Sequence, residues 1–229
     1  MQEEHTEAPV EPDRDLLITR NQVGLLYSQA TVTLIFPVIA AIALGWLLWD
    51  VASRWILIAW ASTAILFSAV RYVLLWSFHR REPHPEQAGR WLDLFSSSAF
   101  ISGLIWGTAP IMLIPYQPDL LVEFTLYNGL TLIVICGLVA GALVSYSVCK
   151  WVLFYYSFPA LVPPGLYLIA LGDKYNGALG GYTLLYFIFV LLASLRMHAQ
   201  YMHYFEMEIE NDRLHARLAE FMAQSEPGD

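Results

Sequence analysis

The sequence predicts an all-α membrane protein: six transmembrane helices in three antiparallel hairpins, both termini in the cytoplasm, and a sixth helix continuing into a cytoplasmic coiled-coil signalling helix. Three observations carry this expectation. Six stretches are long and apolar enough to cross a bilayer, the basic residues fall on alternate sides of them, and the last stretch runs on without a helix breaker. Of the 229 residues, 57% are hydrophobic and 14% charged, against roughly 45–50% and 25% in soluble domains, an excess that requires a lipid solvent.

Residues 1–20 are expected to be a disordered leader, because Glu3, Glu4, Glu7, Glu11, Asp13 and Asp15 make it acidic and it lacks the basic start of a cleaved signal peptide. A six-helix transmembrane bundle is expected over 21–199, with spans at 23–49, 52–78, 94–114, 120–146, 151–171 and 177–199, since about 20 apolar residues cross the hydrocarbon core. The connections are short except for 79–93, and short loops force antiparallel neighbours, hence three hairpins. The glycines from Gly177 to Gly181 are expected in a loop that enters the sixth span. With the N-terminus inside, Arg14, Arg20, Arg80, Arg81, Arg90, Lys150, Arg196, Arg213 and Arg217 lie in the cytoplasm and only Arg54 and Lys174 lie outside. This asymmetry points to a multi-pass membrane protein with both ends in the cytoplasm.

Pro37 in the first span and Pro159, Pro163 and Pro164 in the fifth each remove a backbone donor and crowd the preceding turn, so both spans are expected to kink. Gly103 and Gly107, and likewise Gly137 and Gly141, are four apart and suit close helix approach. Trp46, Trp49, Trp55, Trp76, Trp91, Tyr116, Trp151 and Tyr175 mark helix ends as headgroup anchors. Arg71 and Glu123 are expected to reach opposite membrane surfaces by snorkelling.

From Tyr182 to Glu226 there is neither glycine nor proline, so one helix of more than ~60 Å is expected, about half of it outside a core of ~30 Å. Residues 200–224 would be the signalling helix and 225–229 a tail. Tyr204, Met207, Asn211, Leu214, Leu218 and Phe221 fall at a/d spacing and suit dimerisation and relay, while Phe205 and Ile209 belong to a shifted frame.

Polarity near the kinked spans suggests a ligand pocket in the outer half of the bundle, built from Gln29, Thr33, Trp106, Tyr127 and Asn128. No catalytic residues, metal site or cofactor are expected. HExxH, GxSxG, Walker and GxGxxG patterns are missing, and Cys136 and Cys149 lack ligand spacing. His198 and His203, five apart on a helix, diverge too far to share a metal ion, whereas His79 and His198 could meet across helices. The tails dominate the net charge of −8, and there is no basic footprint for nucleic acid. The expected partners are the bilayer, a second copy of the chain and a small amphiphilic ligand. The alternative is a small six-helix transporter or channel, although no inverted repeat is visible.

QVGLLY (Gln22 to Tyr27), SGLIWGTAP (Ser102 to Pro110), FPALVPP (Phe158 to Pro164) and FEMEIENDRLHARL (Phe205 to Leu218) occur in that order across nearly the whole chain. With six spans, this order resembles the N-terminal membrane-associated (MASE-like) sensor domains of bacterial diguanylate cyclases (GGDEF proteins) and hybrid sensor histidine kinases. The resemblance implies a bundle that senses a stimulus and a dimeric coil leading to an output domain, in two-component or cyclic-di-GMP signalling. The sequence ends at Asp229 before any output domain, so an excised input module, or one acting through a partner kinase or cyclase, is expected. Alone it should not act as an enzyme.

Overall fold

The computed structural model describes residues 14–81 and 84–225, and leaves out some side chains within those ranges. Every regular element among them is helical: α1 (Arg14–Thr33), α2 (Ile35–Leu47), α3 (Arg54–Arg81), α4 (Ala88–Met112), α5 (Leu121–Tyr146), α6 (Val152–Ala170) and α7 (Lys174–Ser225), with single 3-10 turns at Pro85–Gln87 and Pro118–Leu120. Helix α1 begins inside the segment expected to be a disordered leader, and α3 and α4 consume most of the expected 79–93 loop. Polar residues continue these helices beyond the apolar stretches because water satisfies their side chains.

Five helices (α3 to α7) are long and apolar enough to cross a membrane, and the pair α1 and α2, bent by 40°, adds a sixth candidate. The apolar surface suits this, since Trp46 and Trp55 are more than four-fifths exposed and Leu66, Ile133, Leu185 and Phe189 also face outward. The break at Leu34 has a local cause. Pro37 cannot bond the carbonyl four residues back and its ring crowds that turn. Restarting the helix at Ile35 puts Pro37 in a first turn, where a missing N–H costs nothing. Pro159, Pro163 and Pro164 all lie within the single helix α6, and Pro110 lies within α4.

Two of the expected hairpin pairs, α2 with α3 and α6 with α7, are in contact, but the most extensive packing lies outside the hairpins. Helix α4 packs most extensively on α6, two spans apart in sequence, and α6 then packs on α7, whereas the sequence neighbours α4 and α5 touch far less. Small residues explain the choice. A Cβ on Gly103 would strike the Tyr156 carbonyl oxygen and the Pro159 ring, and one on Gly107 would strike the Pro159 carbonyl. Because Pro163 has no N–H, that carbonyl lacks its helical donor, and the Gly107 Cα–H points at it instead. Gly180 approaches the Gly165 carbonyl in the same way and lets α7 close on α6. Gly177 to Gly181, expected in a loop, are therefore part of α7 itself. Gly137 and Gly141 meet nothing within 4 Å, so only one of the two predicted glycine pairs packs helices here.

The start of α7 is fixed by its cap. Gly172 takes a left-handed φ of 78°, which ends α6 without the penalty a Cβ would bring. Asp173 follows, and its Oδ1 accepts the Tyr175 and Asn176 backbone N–H groups at 3.1 and 2.9 Å while Asn176 Nδ2 donates to Oδ2 at 2.7 Å. These donors, the Asn176 N–H first, hold the carboxyl below the usual carboxylate range. The contribution is present above the unfolded-state value and disappears as pH falls through the lowered one. Asp173→Ala should cost about 1 kcal/mol and speed amide exchange at 175–177, with Asp173→Asn keeping most of the cap. Exchange unchanged by the alanine would contradict the cap.

Candidate functional site

The largest concentration of unusual chemistry surrounds Arg71, at the bundle end from which α7 projects. Snorkelling was expected for this residue, yet it is only 3% exposed. The reason is a set of partners drawn from neighbouring helices. Its Nη2 donates to the Tyr146 hydroxyl at 2.7 Å, and its guanidinium lies 5.3 Å from the Phe95 ring centre and 5.7 Å from that of Tyr146. Ring faces and a hydroxyl replace part of the lost hydration, with no carboxylate in this set. The Arg71 Nε is buried without a hydrogen-bond partner among the described residues.

The aromatic wall extends through Tyr27, which stacks on Phe78 at 3.9 Å and meets Phe95 edge-on at 5.3 Å. Its hydroxyl donates to the Trp91 carbonyl at 3.0 Å. Trp91, expected as a headgroup anchor, is therefore buried in this core, while Trp46, Trp49, Trp55, Trp76, Tyr116, Trp151 and Tyr175 are exposed. Tyr146 meets Tyr156 of α6 at 5.6 Å, so the cluster joins α1, α3, α4, α5 and α6.

Helix α7 is tied to this core by side chains rather than by apolar contact alone. The Tyr186 hydroxyl donates to the Cys136 carbonyl at 2.8 Å, and the Tyr201 hydroxyl to that of Val144 at 3.3 Å. The hydroxyl of Ser147, the residue after Tyr146, is hydrogen-bonded to Ser194 Oγ at 3.0 Å. His198 Nδ1 is 3.1 Å from the Val148 carbonyl, which can only accept, so Nδ1 carries the hydrogen. Gln22 of α1 donates to Met202 Sδ at 3.0 Å. These partners are separated by 47 to 180 residues in sequence, which is why sequence patterns did not reveal them.

Two clefts flank α7 at the same end. The first, about 1050 Å³, is walled by α1, α4, the α5–α6 turn and α7, with Asp93, Lys150 and His198 among its lining. The second, about 940 Å³, lies between the start of α1, the end of α3 and α7, with Arg20, His79, His84 and Glu208. His79 and His198 thus line different clefts, and the cross-helix pair considered from the sequence is not made.

The predicted pocket residues are not gathered into one site. Gln29 follows Tyr27 by two residues and so lies near the Trp91 level, whereas Trp106 is about 22 Å further along α4 at 1.5 Å per residue. Trp106 is spent on packing, edge-on to Trp60 at 5.3 Å, with the Trp60 indole N–H bonded to the Ile105 carbonyl. Tyr127 lines a small far-end cleft of about 190 Å³ with Asp50 and Glu123. Asn128 is fully buried and donates to the Phe124 carbonyl, and the Thr33 side chain lies outside the described residues. Gln29, Asn128 and Thr131 each keep a buried oxygen without a partner among the described residues.

Of the relay residues, Tyr204, Met207, Asn211, Leu214 and Leu218 are all exposed, and the Phe221 side chain lies outside the described residues. Phe205, which the sequence put in a shifted frame, is 3% exposed and docks on the bundle. One face of α7 therefore holds the core and another stays open. Comparison with protein-family models, curated proteins and solved structures returns no match.

Proposed function

We propose that the chain is a transmembrane sensory input module of a bacterial inner membrane, with both ends cytoplasmic and α7 as its relay. A stimulus that favours one packing of the bundle shifts α7, and the distal half of α7, paired with a second copy, passes the change to a cytoplasmic diguanylate cyclase or histidine kinase output. Differential affinity of the stimulus for two packings is the only energy source this needs. The supporting observation is that α7 is one helix of 52 residues whose first half is hydrogen-bonded to α5 through Tyr186 and whose second half exposes an a/d stripe. A stripe of Tyr204, Met207, Leu214 and Leu218 left in water is an unsatisfied apolar face, and a parallel copy covers it with like residues.

Register insertions test the relay. With the chain joined to a dimerisation-dependent cyclase reporter, two residues added after Ala199 rotate the distal helix by about 200° and should change output several-fold. Seven added residues restore the phase within about 20° and should restore output. Equal output from every insertion would remove the proposal.

A further inference from the structure

We infer that the larger cleft beside α7 is a binding site for a zwitterionic amphiphile, one acyl chain or more carrying a phosphate and an ammonium group. The cleft is graded in polarity along a single helix face. On α4 its lining runs Leu92, Asp93, Ser96, Ser97, Phe100 and Ile101, the last four spaced three, four, seven and eight from Asp93 and so on one side of the helix. From Asp93 to Ile101 the face passes from charge through hydroxyls to hydrocarbon over about 12 Å. The opposite wall repeats the order, with Lys150 and Trp151 at the charged level and Tyr155 deeper. A small polar metabolite has no use for the apolar end, and a plain hydrocarbon none for the charged end.

The charged level selects the headgroup. Asp93 and Lys150 line the same cleft from different elements, and among the described residues no salt bridge joins them; the Lys150 ammonium rests 5.3 Å from the Trp151 ring centre instead. His198 lines the same space, and because its Nδ1–H is given to the Val148 carbonyl, its Nε2 is left as an acceptor for a ligand hydroxyl or N–H. An acid and a base facing one space without pairing complement a ligand that carries both signs: phosphate toward Lys150, ammonium toward Asp93. Phe100, Ile101 and Tyr155 are about two-fifths exposed, which leaves the apolar end open sideways for a chain to enter. The claim concerns binding and stands whether or not α7 relays anything; if it does, His198 and Met202 put the occupant in contact with the moving part.

The test is equilibrium binding of radiolabelled lysophosphatidylethanolamine to the purified full chain in maltoside micelles. Saturable binding near one per chain is expected, at least tenfold tighter than lysophosphatidylglycerol, with phosphoethanolamine, which lacks the chain, not bound. Lys150→Gln should weaken both lysolipids tenfold or more. Asp93→Asn should reverse the preference toward the anionic lysolipid, an outcome that mere unfolding cannot produce. Ile101→Trp should block both. Diacyl phosphatidylethanolamine co-purifying at one per chain and displaced by the lysolipid would identify a resident bilayer lipid, and its absence a single-chain source. Binding indifferent to headgroup, or unchanged in all three variants, would overturn the assignment.

Discussion

Gly107→Val should prevent stable closure of α4 on α6, costing about 3 kcal/mol or more against reversible unfolding in mixed micelles. The added Cβ is directed at a backbone carbonyl, that of Pro159, which cannot rotate away as a side-chain tip could. That carbonyl is already deprived of a helical donor by Pro163, so pushing α6 outward also removes its remaining weak Cα–H contact. Gly137→Ala is the internal control, since it meets open space and replaces a poor helix former by a good one. It should be neutral or stabilising by up to about 1 kcal/mol. A Gly107→Val protein as stable as the parent would mean that α4 and α6 do not meet as described.

The second large effect concerns Arg71 and is an inequality. Tyr146→Phe leaves the buried guanidinium in place and deletes its 2.7 Å hydrogen bond, a loss of about 1.5–3 kcal/mol for a charged partner. Arg71→Met removes the charge and its desolvation cost together while filling similar space, so it should cost no more than about 1 kcal/mol and could stabilise. The double variant should then be no worse than Arg71→Met, because the tyrosine hydroxyl has no ion left to serve. Unfolding titrations of the three proteins decide it. Tyr146→Phe as stable as the parent, or Arg71→Met worse than Tyr146→Phe, would show that the arginine is not buried in this cage.

Some of this was legible in the chain and some was not, for physical reasons. Apolar length located the helices, because span length follows from bilayer thickness and needs no partner to be known. The absence of glycine and proline after Tyr182 likewise announced a long final helix, and α7 is unbroken to Ser225. Partner choice was hidden. Gly103 and Gly137 begin the same four-residue spacing, yet only the first pair faces another backbone, since spacing specifies a face and not what stands opposite. Arg71 misled for a related reason: its distance from the helix end allowed snorkelling, while the hydroxyl and rings that hold it come from positions 146 and 95 on other helices. Gln29 and Trp106 were grouped by polarity and span, but their depths differ by several helical turns.

The a/d stripe of α7 remains the point on which the relay depends. A single spin label at Leu214 of the full chain, with Cys136 and Cys149 replaced by alanine and the protein in lipid nanodiscs, reports the distance between copies. Parallel pairing places the helix axes about 8–10 Å apart, so the account predicts one narrow, short interspin distance. A label at Glu210 or elsewhere off the stripe should give a longer one. No dipolar coupling at Leu214 under conditions that preserve the bundle would contradict the paired stalk, and with it the relay.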